Sequence, residues 1–371
     1  MKRFLSLFIA FAGFLSADPK ENRLLIATSP DGLVWTRQNQ VFYDSADVPD
    51  AVVGPGGRVY LYFQNFHEPD MNKIYVGFSN DGLTGWIFGS IVISGTEYWP
   101  GTPCDPDIII RGDTFRLYFT GDPYGDGNPE TYSATSFDGM NFIIDSGVRF
   151  QISGAPVLDP SLLWTVDTCR YFAGGIPGIN YRAHSTDGIN FIRDPDFHAD
   201  SFMMANGIAV PGGYRFYCFK EDRGIKSLFS TNGVSWSFDA GYRLQLDTMT
   251  GLEHKFVKDP TVVKTGSGYI MYYVTKIPPS DIAESRSEDF SFNVCPNPTR
   301  NLIKLTVNLP EGVRYSLRLY DAGGSMVKDI SQPRETTPTS FVWAPEVPPG
   351  VYFLRLTAGN VSVIRRITIL R

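Results

Sequence analysis

The chain has 371 residues, of which 43% are hydrophobic and 14% aromatic, with 36 glycines and 26 prolines. This length and composition predict one large domain with a packed core and a smaller second domain, and they favour short strands and turns over helices. The formal net charge of -6 excludes nucleic acid as the main partner, because binding to a phosphate backbone needs a basic surface.

Residues 1–17 predict a secretory signal peptide. A basic start at Lys2 and Arg3 precedes an apolar run over residues 4–15, and two small residues follow it. The run is too short to span a membrane well, and no later apolar run is long enough for a transmembrane helix. We therefore expect export, with no transmembrane segment after the signal is removed.

A repeated unit then runs through the chain: an acidic residue and a proline, an apolar strand, a short turn and an aromatic strand. Its clearest copies begin at Asp105-Pro106, Asp159-Pro160 and Asp259-Pro260, and looser copies begin at Val48-Pro49 and near Gly207. The spacing of the prolines is about 50 residues, as expected for the four-stranded blades of a propeller.

A second unit alternates with the first and reads Ser-x-Asp-Gly or Ser-x-Asn-Gly followed by an aromatic residue. Its copies lie at residues 29–35, 79–86, 136–142, 185–191 and 230–236. Asp-Gly and Asn-Gly accept positive φ at low cost, which predicts turns between strands. We expect the aromatic residue after each turn to pack between neighbouring sheets.

Together the two units predict an all-β fold, a five-bladed β-propeller over residues 18–292. The second unit first occurs at residues 24–36, before the first complete blade, and we expect it to close the ring by supplying outer strands to the last blade. Residues 282–292 compete for that role, and a six-bladed propeller is the alternative.

The composition changes near residue 293, where Pro296-Asn297-Pro298 opens a series of five or six short strands. Their partial alternation predicts a small immunoglobulin-like β-sandwich over residues 293–371. The opening segment, Leu317 to Gly324, Gly350 to Leu356 and Val363 to Ile367 resemble the C-terminal sorting domain of the type IX secretion system. That resemblance implies the type IX machinery as a partner and an extracellular or outer-cell-surface location; a plain accessory sandwich is the alternative.

The four cysteines are Cys104, Cys169, Cys218 and Cys295. Export permits disulfides, and four thiols allow three pairings, while buried free thiols fit the sequence equally well. Their spacing does not resemble a zinc site.

The predicted propeller resembles glycoside hydrolase family 43 and its relatives. Leu158-Asp159-Pro160-Ser161 is similar to the family's Ile-Asp-Pro strand, and Pro106-Asp107-Ile108 is similar to its Ala-Pro-Asp strand. The resemblance implies a hydrolase of polysaccharide or oligosaccharide that uses carboxylates in a central funnel. It also implies that Asp159 tunes the acid and orients the substrate.

Two positions depart from the family pattern. Val48 stands where the family has its general-base Asp, and Asp50, two residues further along a strand, is expected to face the same side and to serve as the base. The general-acid Glu falls near Met204, which leaves Glu221 and Glu253 as the nearest replacements. Glu97 and Glu130 are further alternatives.

We expect Asp105, Asp107, Asp259 and Trp99 to bind substrate, the acids from the funnel wall and the indole by stacking on a sugar ring. No cofactor is required by this chemistry, and a structural calcium ion held by oxygens is a further expectation. Two alternatives remain open, a catalytically inactive propeller that binds glycan and a structural or adhesive surface protein.

Overall fold

The structure is a computed structural model that describes residues 19–370 except 177, 279–290, 296, 298, 301, 309–314, 322–323, 332–338 and 359–360. The predicted signal peptide and most of the competing segment at 282–292 lie outside the described residues. The chain divides into two compact units, one from the described residues of 1–85 and 90–278, and the other from 86–89 and those of 279–371.

The described residues are almost entirely β-structure, as the composition predicts. Helical turns are limited to three short 3-10 segments in this part of the chain: Pro19–Glu21, Pro55–Gly57 and Thr248–Thr250. No helix among the described residues is long and apolar enough to cross a membrane.

Strands β1 to β21 form five sheets. In chain order they are β1 (Asn22–Ser29), β2 (Thr36–Asp44), β3 (Ala46–Val53), β4 (Val59–Asn65), β5 (Lys73–Ser79), β6 (Ile87–Ser90), β7 (Val92–Ser94), β8 (Cys104–Arg111), β9 (Thr114–Gly121), β10 (Glu130–Ser136), β11 (Asn141–Ile144), β12 (Leu158–Trp164), β13 (Cys169–Gly174), β14 (Asn180–Ser185), β15 (Ile192–Phe197), β16 (Met203–Val210), β17 (Gly213–Lys220), β18 (Gly224–Ser230), β19 (Ser237–Phe238), β20 (Val257–Thr265) and β21 (Gly268–Lys276). The sheet orders are β3-β4-β5-β6, β7-β11-β10-β9-β8, β12-β13-β14-β15, β16-β17-β18-β19 and β2-β1-β21-β20.

The last sheet joins the two ends of this region. Strand β1 pairs with β21 from Asn22, opposite Lys276, to Ser29, opposite Tyr269. The first strands of the chain therefore complete the sheet of the last repeat, as expected from the early position of the Asp-Gly unit. Strands β3, β8, β12, β16 and β20, each at one edge of its sheet, contact one another in that order, and β20 contacts β3. We call these five the inner strands.

Each of these inner strands carries a bulge where the acid–proline unit begins. The pairing register shifts at five matching places: Asp47/Asp50, Cys104/Asp107, Leu158/Ser161, Met204/Asn206 and Lys258/Thr261. The residue before each proline has positive φ: 44° at Val48, 52° at Asp105, 52° at Asp159 and 44° at Asp259. This conformation is unfavourable for residues other than glycine, and a bulge re-aims the side chains beside it.

The Asp-Gly units form the predicted turns. In the first, Ser29 Oγ accepts a hydrogen bond from the Gly32 amide at 2.8 Å, and Asp31 Oδ1 accepts from the amides of Leu33 and Val34. Gly32 has φ 74°, which only glycine adopts without strain. The amide hydrogen bonds hold the pKa of Asp31 below its usual range, so this carboxylate serves the turn.

Tyrosines join four of these five turns to a neighbouring sheet. Four hydroxyl groups donate to the carbonyl of a turn glycine on the next sheet: Tyr62 to Gly139 at 2.8 Å, Tyr118 to Gly188 at 2.8 Å, Tyr217 to Gly32 at 2.9 Å and Tyr272 to Gly82 at 2.6 Å. The aromatic residues after the turns add ring contacts, such as Trp35 against Tyr217 at 5.9 Å. The repeated unit therefore forms both a turn and a contact between neighbouring sheets.

Three of the four cysteines carry free thiols. Cys169 and Cys218 are buried and Cys104 is partly buried, while the side chain of Cys295 lies outside the described residues. Of the two alternatives, disulfides or free thiols, the structure shows free thiols at Cys104, Cys169 and Cys218.

The second unit contains two more sheets. Its strands are β22 (Ser291–Cys295), β23 (Ile303–Asn308), β24 (Tyr315–Asp321), β25 (Met326–Asp329), β26 (Thr339–Trp343), β27 (Gly350–Ala358) and β28 (Val361–Ile369), in the orders β22-β23-β26 and β25-β24-β27-β28. Leu305 from one sheet and Leu319 and Leu354 from the other are fully buried in one shared apolar core.

Candidate functional site

The centre of the five sheets is held by one polar side chain from each inner strand, placed just after each bulge. We call these side chains the inner ring: Asp50, Asp107, Ser161, Asn206 and Thr261. Each forms a hydrogen bond with the backbone of the next inner strand. Four accept from a backbone amide: Asp50 Oδ2 from Ile108 N at 2.8 Å, Asp107 Oδ2 from Leu162 N at 3.1 Å, Asn206 Oδ1 from Val262 N at 3.0 Å and Thr261 Oγ1 from Ala51 N at 2.9 Å. The fifth, Ser161 Oγ, donates to Ala205 O at 2.6 Å.

Asp50 is the most heavily bonded member of the inner ring. Besides the Ile108 amide, it accepts from Asn206 Nδ2 and Thr261 Oγ1, both at 3.0 Å, and its side chain is only 4% exposed. Burial raises its pKa to about 7, against the opposing effect of these donors. Both carboxylate oxygens are thus engaged in joining sheets, and the general-base role predicted for Asp50 stays a prediction.

Asp107, predicted to bind substrate, is also in the inner ring. It is buried, and burial followed by the charge of Asp50 raises its pKa well above the usual range. Its bond to the Leu162 amide gives it the same strand-joining position as Asp50.

A small cavity lies where the inner strands begin, and we call it the funnel cavity. Its volume of about 20 Å³ is close to that of one water probe. Among its lining residues are Val48, Asp50, Asp159, Met204 and Asp259. The structure therefore brings together three of the predicted acids with Val48 and Met204, the two apolar residues expected from the sequence at the family's base position and near its acid position.

Asp105 and Asp159 lie near each other on this side of the sheets, and the Asp105 carboxylate accepts a hydrogen bond from the Asp159 backbone. Both are partly buried, and each has its pKa raised chiefly by burial. The charges of Asp105 and Asp259 raise the pKa of Asp159 further, well above the usual range of a carboxyl group. Asp159 is therefore a carboxyl group that keeps its proton more readily than an exposed aspartate does.

Lys258 forms an ion pair with Asp259 beside this pair of acids. Its Nζ lies 2.8 Å from Asp259 Oδ2 and 3.0 Å from Asp47 Oδ1, and Asp47 also accepts a hydrogen bond from Asn22 Nδ2 at 2.7 Å. Burial raises the pKa of Asp259 to about 7, and the Lys258 charge opposes this rise. Asp259 thus titrates in a different environment from Asp159.

Lys258 and Asp47 were not predicted. Each directly precedes the residue that has positive φ in its bulge, at equivalent positions of the repeat. That equivalence is the sequence signal that leads to them, because a bulge re-aims the side chains beside it.

Glu221 lies near this cluster, whereas Glu253 does not. Glu221 is partly exposed, and its charge raises the pKa of both Lys258 and Asp259. Glu253 is only 2% exposed and outside the funnel-cavity lining; its Oε1 lies 2.6 Å from Arg37 Nε and accepts from Tyr273 Oη at 2.8 Å. The structure gives Glu253 a buried ion pair, away from the position that its predicted acid role needs.

The other predicted side chains belong to the second sheet. Trp99 packs edge-on against Tyr132 at 4.9 Å, as part of that sheet's apolar core, and does not line the funnel cavity. Glu130 accepts from Tyr132 Oη at 2.7 Å, and Glu97 accepts from the Gly95 amide at 2.8 Å. All three residues therefore make local packing or hydrogen-bond contacts in this part of the fold.

No cluster of three or more His, Cys, Asp or Glu side chains is arranged to hold a metal ion within the described part of the chain. The expected structural calcium therefore has no candidate group of carboxylate ligands there.

Comparisons with known proteins give separate matches for the C-terminal part of the chain and for the propeller region. The family model of the secretion system C-terminal sorting domain matches residues 293–370. The predicted resemblance of the tail is confirmed. A sorting domain of this kind indicates that the chain is secreted. No curated protein matches the chain.

The propeller region is similar to solved structures of sugar-cleaving enzymes. An α-L-arabinofuranosidase from Clostridium thermocellum is 18% identical with a TM-score of 0.50, over 77% of this chain and 94% of that enzyme. A glycoside hydrolase family 43 enzyme from Xanthomonas citri, complexed with xylose, is 15% identical with a TM-score of 0.50, over 62% of this chain and 80% of that enzyme. The likeness is one of fold. It confirms the predicted resemblance to the propellers of glycoside hydrolase family 43.

Proposed function

We propose that the chain is a secreted carbohydrate-active protein that hydrolyses glycosidic bonds with carboxyl groups at the mouth of the propeller funnel. One observation carries the proposal: Asp159 and Asp259 both line the funnel cavity, yet their surroundings differ. Burial and then the charges of Asp105 and Asp259 raise the pKa of Asp159, with Lys258 opposing, whereas Asp259 contacts the Lys258 ammonium directly at 2.8 Å. Carboxyl groups whose environments push their pKa values apart are suited to opposite roles in acid–base catalysis.

In this proposal Asp159 donates a proton to the departing glycosidic oxygen. Asp259, whose charged form is favoured by the neighbouring Lys258 ammonium, activates the attacking water, and the charged form of Asp105 favours the protonated form of Asp159. Glu221 remains the alternative acid, as its partial exposure and its position near Lys258 allow. Asp50 and Asp107 hold the inner strands in register around these groups.

A second candidate is a catalytically inactive propeller that binds glycan. Val48 and Met204 favour it, because both line the funnel cavity, and the sequence resemblance aligns Val48 with the family's base and places the family's acid near Met204. The cavity of about 20 Å³ favours it too, since sites that enclose a sugar are larger, about 300 Å³ or more.

We infer further that the five sheets are the blades of a five-bladed propeller over residues 18–292, and that residues 293–371 form an immunoglobulin-like sandwich. The ring of contacts among five inner strands, closed by the β1–β21 pairing, supports the blade count. The two sheets around one core support the sandwich. The sorting-domain match supports export by the type IX machinery to the outer cell surface.

The deciding experiment measures reducing-end release from a panel of plant and microbial polysaccharides, using the chain without residues 1–17. Asp159→Asn and Asp259→Asn are each expected to lower the rate by a factor of about 10² to 10⁴, the usual contribution of a general acid or base. Asp222→Asn, at an exposed carboxylate, is the matched control. Absence of cleavage by the wild type on the whole panel, with glycan binding retained, would establish the second candidate.

A further inference from the structure

A larger cavity lies between the second and third sheets, at the ends of their inner strands. Its volume is about 290 Å³, and its walls include Ile109, Arg111, Arg116, Trp164 and Asp187. Arg111 ends strand β8, whereas Asp105 stands near its start, so six residues of extended strand place this cavity roughly 20 Å from the funnel acids. The cavity is therefore separate from the site proposed for hydrolysis.

The Arg111 side chain stacks on Trp164 in this cavity. Its guanidinium carbon lies 3.8 Å from the centroid of the Trp164 ring, close enough for a stacked cation–π contact. The side chain is exposed, and no hydrogen bond or ion pair joins its guanidinium to any residue that the structure describes. Stacking on an aromatic face fixes the plane of the guanidinium and leaves its N–H groups directed outwards along the edge.

The other charged groups of the cavity are already engaged. Arg116 Nη1 donates to the Asp187 carbonyl at 3.4 Å, and its Nε lies 3.4 Å from Asp145 Oδ2. The Asp187 carboxylate accepts hydrogen bonds from the amides of Ile189 and Asn190 within its own turn. Arg111 is thus the charged group of the cavity whose guanidinium has no hydrogen-bond or ion-pair partner among the described residues, and its charge is positive.

The Arg111–Trp164 pair also departs from the repeat. Residues that pack the sheets recur from one sheet to the next, as the four tyrosine–glycine hydrogen bonds do. The positions that correspond to Arg111 are Gly54, Thr165, Val210 and Thr265, and those that correspond to Trp164 are Val53, Ile110, Ala209 and Lys264. The stacked pair occurs at one interface between sheets, so packing of the repeat does not require it.

We propose that this cavity binds a single acidic sugar residue through its carboxylate. The Arg111 guanidinium offers two parallel N–H donors to a carboxylate, the geometry in which arginine binds that group best. Ile109 and Trp164 supply apolar surface for the sugar ring, and Thr114 adds a hydroxyl group at the cavity wall. The volume suits one ring rather than a chain of several.

The test is calorimetric titration of the full chain with galacturonate and, separately, with neutral galactose. Galacturonate is expected to bind and galactose to bind at least tenfold more weakly. Arg111→Gln is expected to weaken galacturonate binding tenfold or more, because charge-assisted hydrogen bonds are lost. Arg58→Gln, which removes another cation–π arginine, lying 5.2 Å from the Phe78 ring, is the matched control and is expected to leave binding unchanged.

Three results would overturn the proposal: no binding of galacturonate to the wild type, equal binding by Arg111→Gln, or inorganic sulfate binding as tightly as galacturonate, which would indicate a site for simple anions. Asp159→Asn is expected to leave galacturonate affinity unchanged. This outcome separates the cavity from the funnel, so that failure of the proposed hydrolysis and failure of this site are told apart.

Discussion

The Thr261 hydroxyl accepts a hydrogen bond from the Ala51 amide at 2.9 Å and donates one to Asp50 Oδ1 at 3.0 Å. These two bonds join the inner strand of the last repeat to that of the first, across 210 residues of chain. Thr261 therefore completes the inner ring, and all three groups are buried, so water cannot replace a lost partner.

Replacing Thr261 by valine keeps the shape of the side chain and removes both bonds. We expect Thr261→Val to lower the free energy of unfolding by about 1–3 kcal/mol, since a buried amide loses its acceptor. Urea denaturation of the two proteins measures this difference. Thr261→Ser retains the hydroxyl and is expected to lose less; equal loss in both variants would mean that the methyl group, and not the hydrogen bonds, matters.

The tyrosine–glycine bonds between sheets can be tested one by one. Tyr62→Phe, Tyr118→Phe and Tyr217→Phe each remove one hydroxyl that donates to a turn carbonyl, and each is expected to cost about 1 kcal/mol of stability. Tyr98→Phe, at a side chain that is 97% exposed, serves as the control. Thermal unfolding that is unchanged in all three core variants would show that the hydroxyl groups contribute nothing.

The two candidate glutamates predict opposite phenotypes for the same substitution. Glu253→Gln weakens a buried ion pair with Arg37, which is 21% exposed, and is expected to cost about 2–4 kcal/mol of stability while the funnel chemistry survives. Glu221→Gln, at a partly exposed position, is expected to change stability little. Measuring both unfolding and hydrolysis separates the roles; a folded Glu253→Gln protein without activity would restore Glu253 as a catalytic candidate.

Lys258 sets the pH at which Asp259 becomes charged. Its positive charge opposes the effect of burial on the pKa of Asp259, which lies at about 7. Removing the charge in Lys258→Met raises that pKa, so the acidic limb of the pH profile of kcat/KM is expected to move to higher pH. A limb that stays in place would show that Asp259 is not the base. Lys264→Met, a lysine outside the cluster, is the control.

The C-terminal sorting domain is expected to determine where the protein is exported. A chain that ends at residue 292 lacks the segment matched by the sorting domain and is expected to remain inside the outer membrane of a host with type IX secretion. The full chain is expected at the cell surface or in the medium. Cell fractionation with antibody detection compares the two, and surface display of the truncated chain would refute the role of the tail.

The sequence by itself determined the features that depend on a few neighbouring residues. Asp31-Gly32 and its copies specify their turns because the carboxylate bonds amides two and three residues away. The early Asp-Gly unit predicted the closing strand β1, and the motifs after residue 293 led to the sorting domain. In each case the decisive contacts lie within one turn, one strand or one pair of adjacent strands.

Only the tertiary structure decided which acids meet. Asp47 and Lys258 are 211 residues apart, as Thr261 and Asp50 are, and Arg37 and Glu253 are separated by 216. The repeat predicted which strand closes the ring, but strand periodicity does not specify which side chains meet across such long separations in sequence. The bulges add a second cause, because one extra residue in each inner strand breaks the alternation by which side chains were assigned to a face. The repeat therefore predicted a ring of carboxyl groups, whereas the tertiary structure decided that Asp50 and Asp107 join strands and that Asp159 and Asp259 line the funnel cavity.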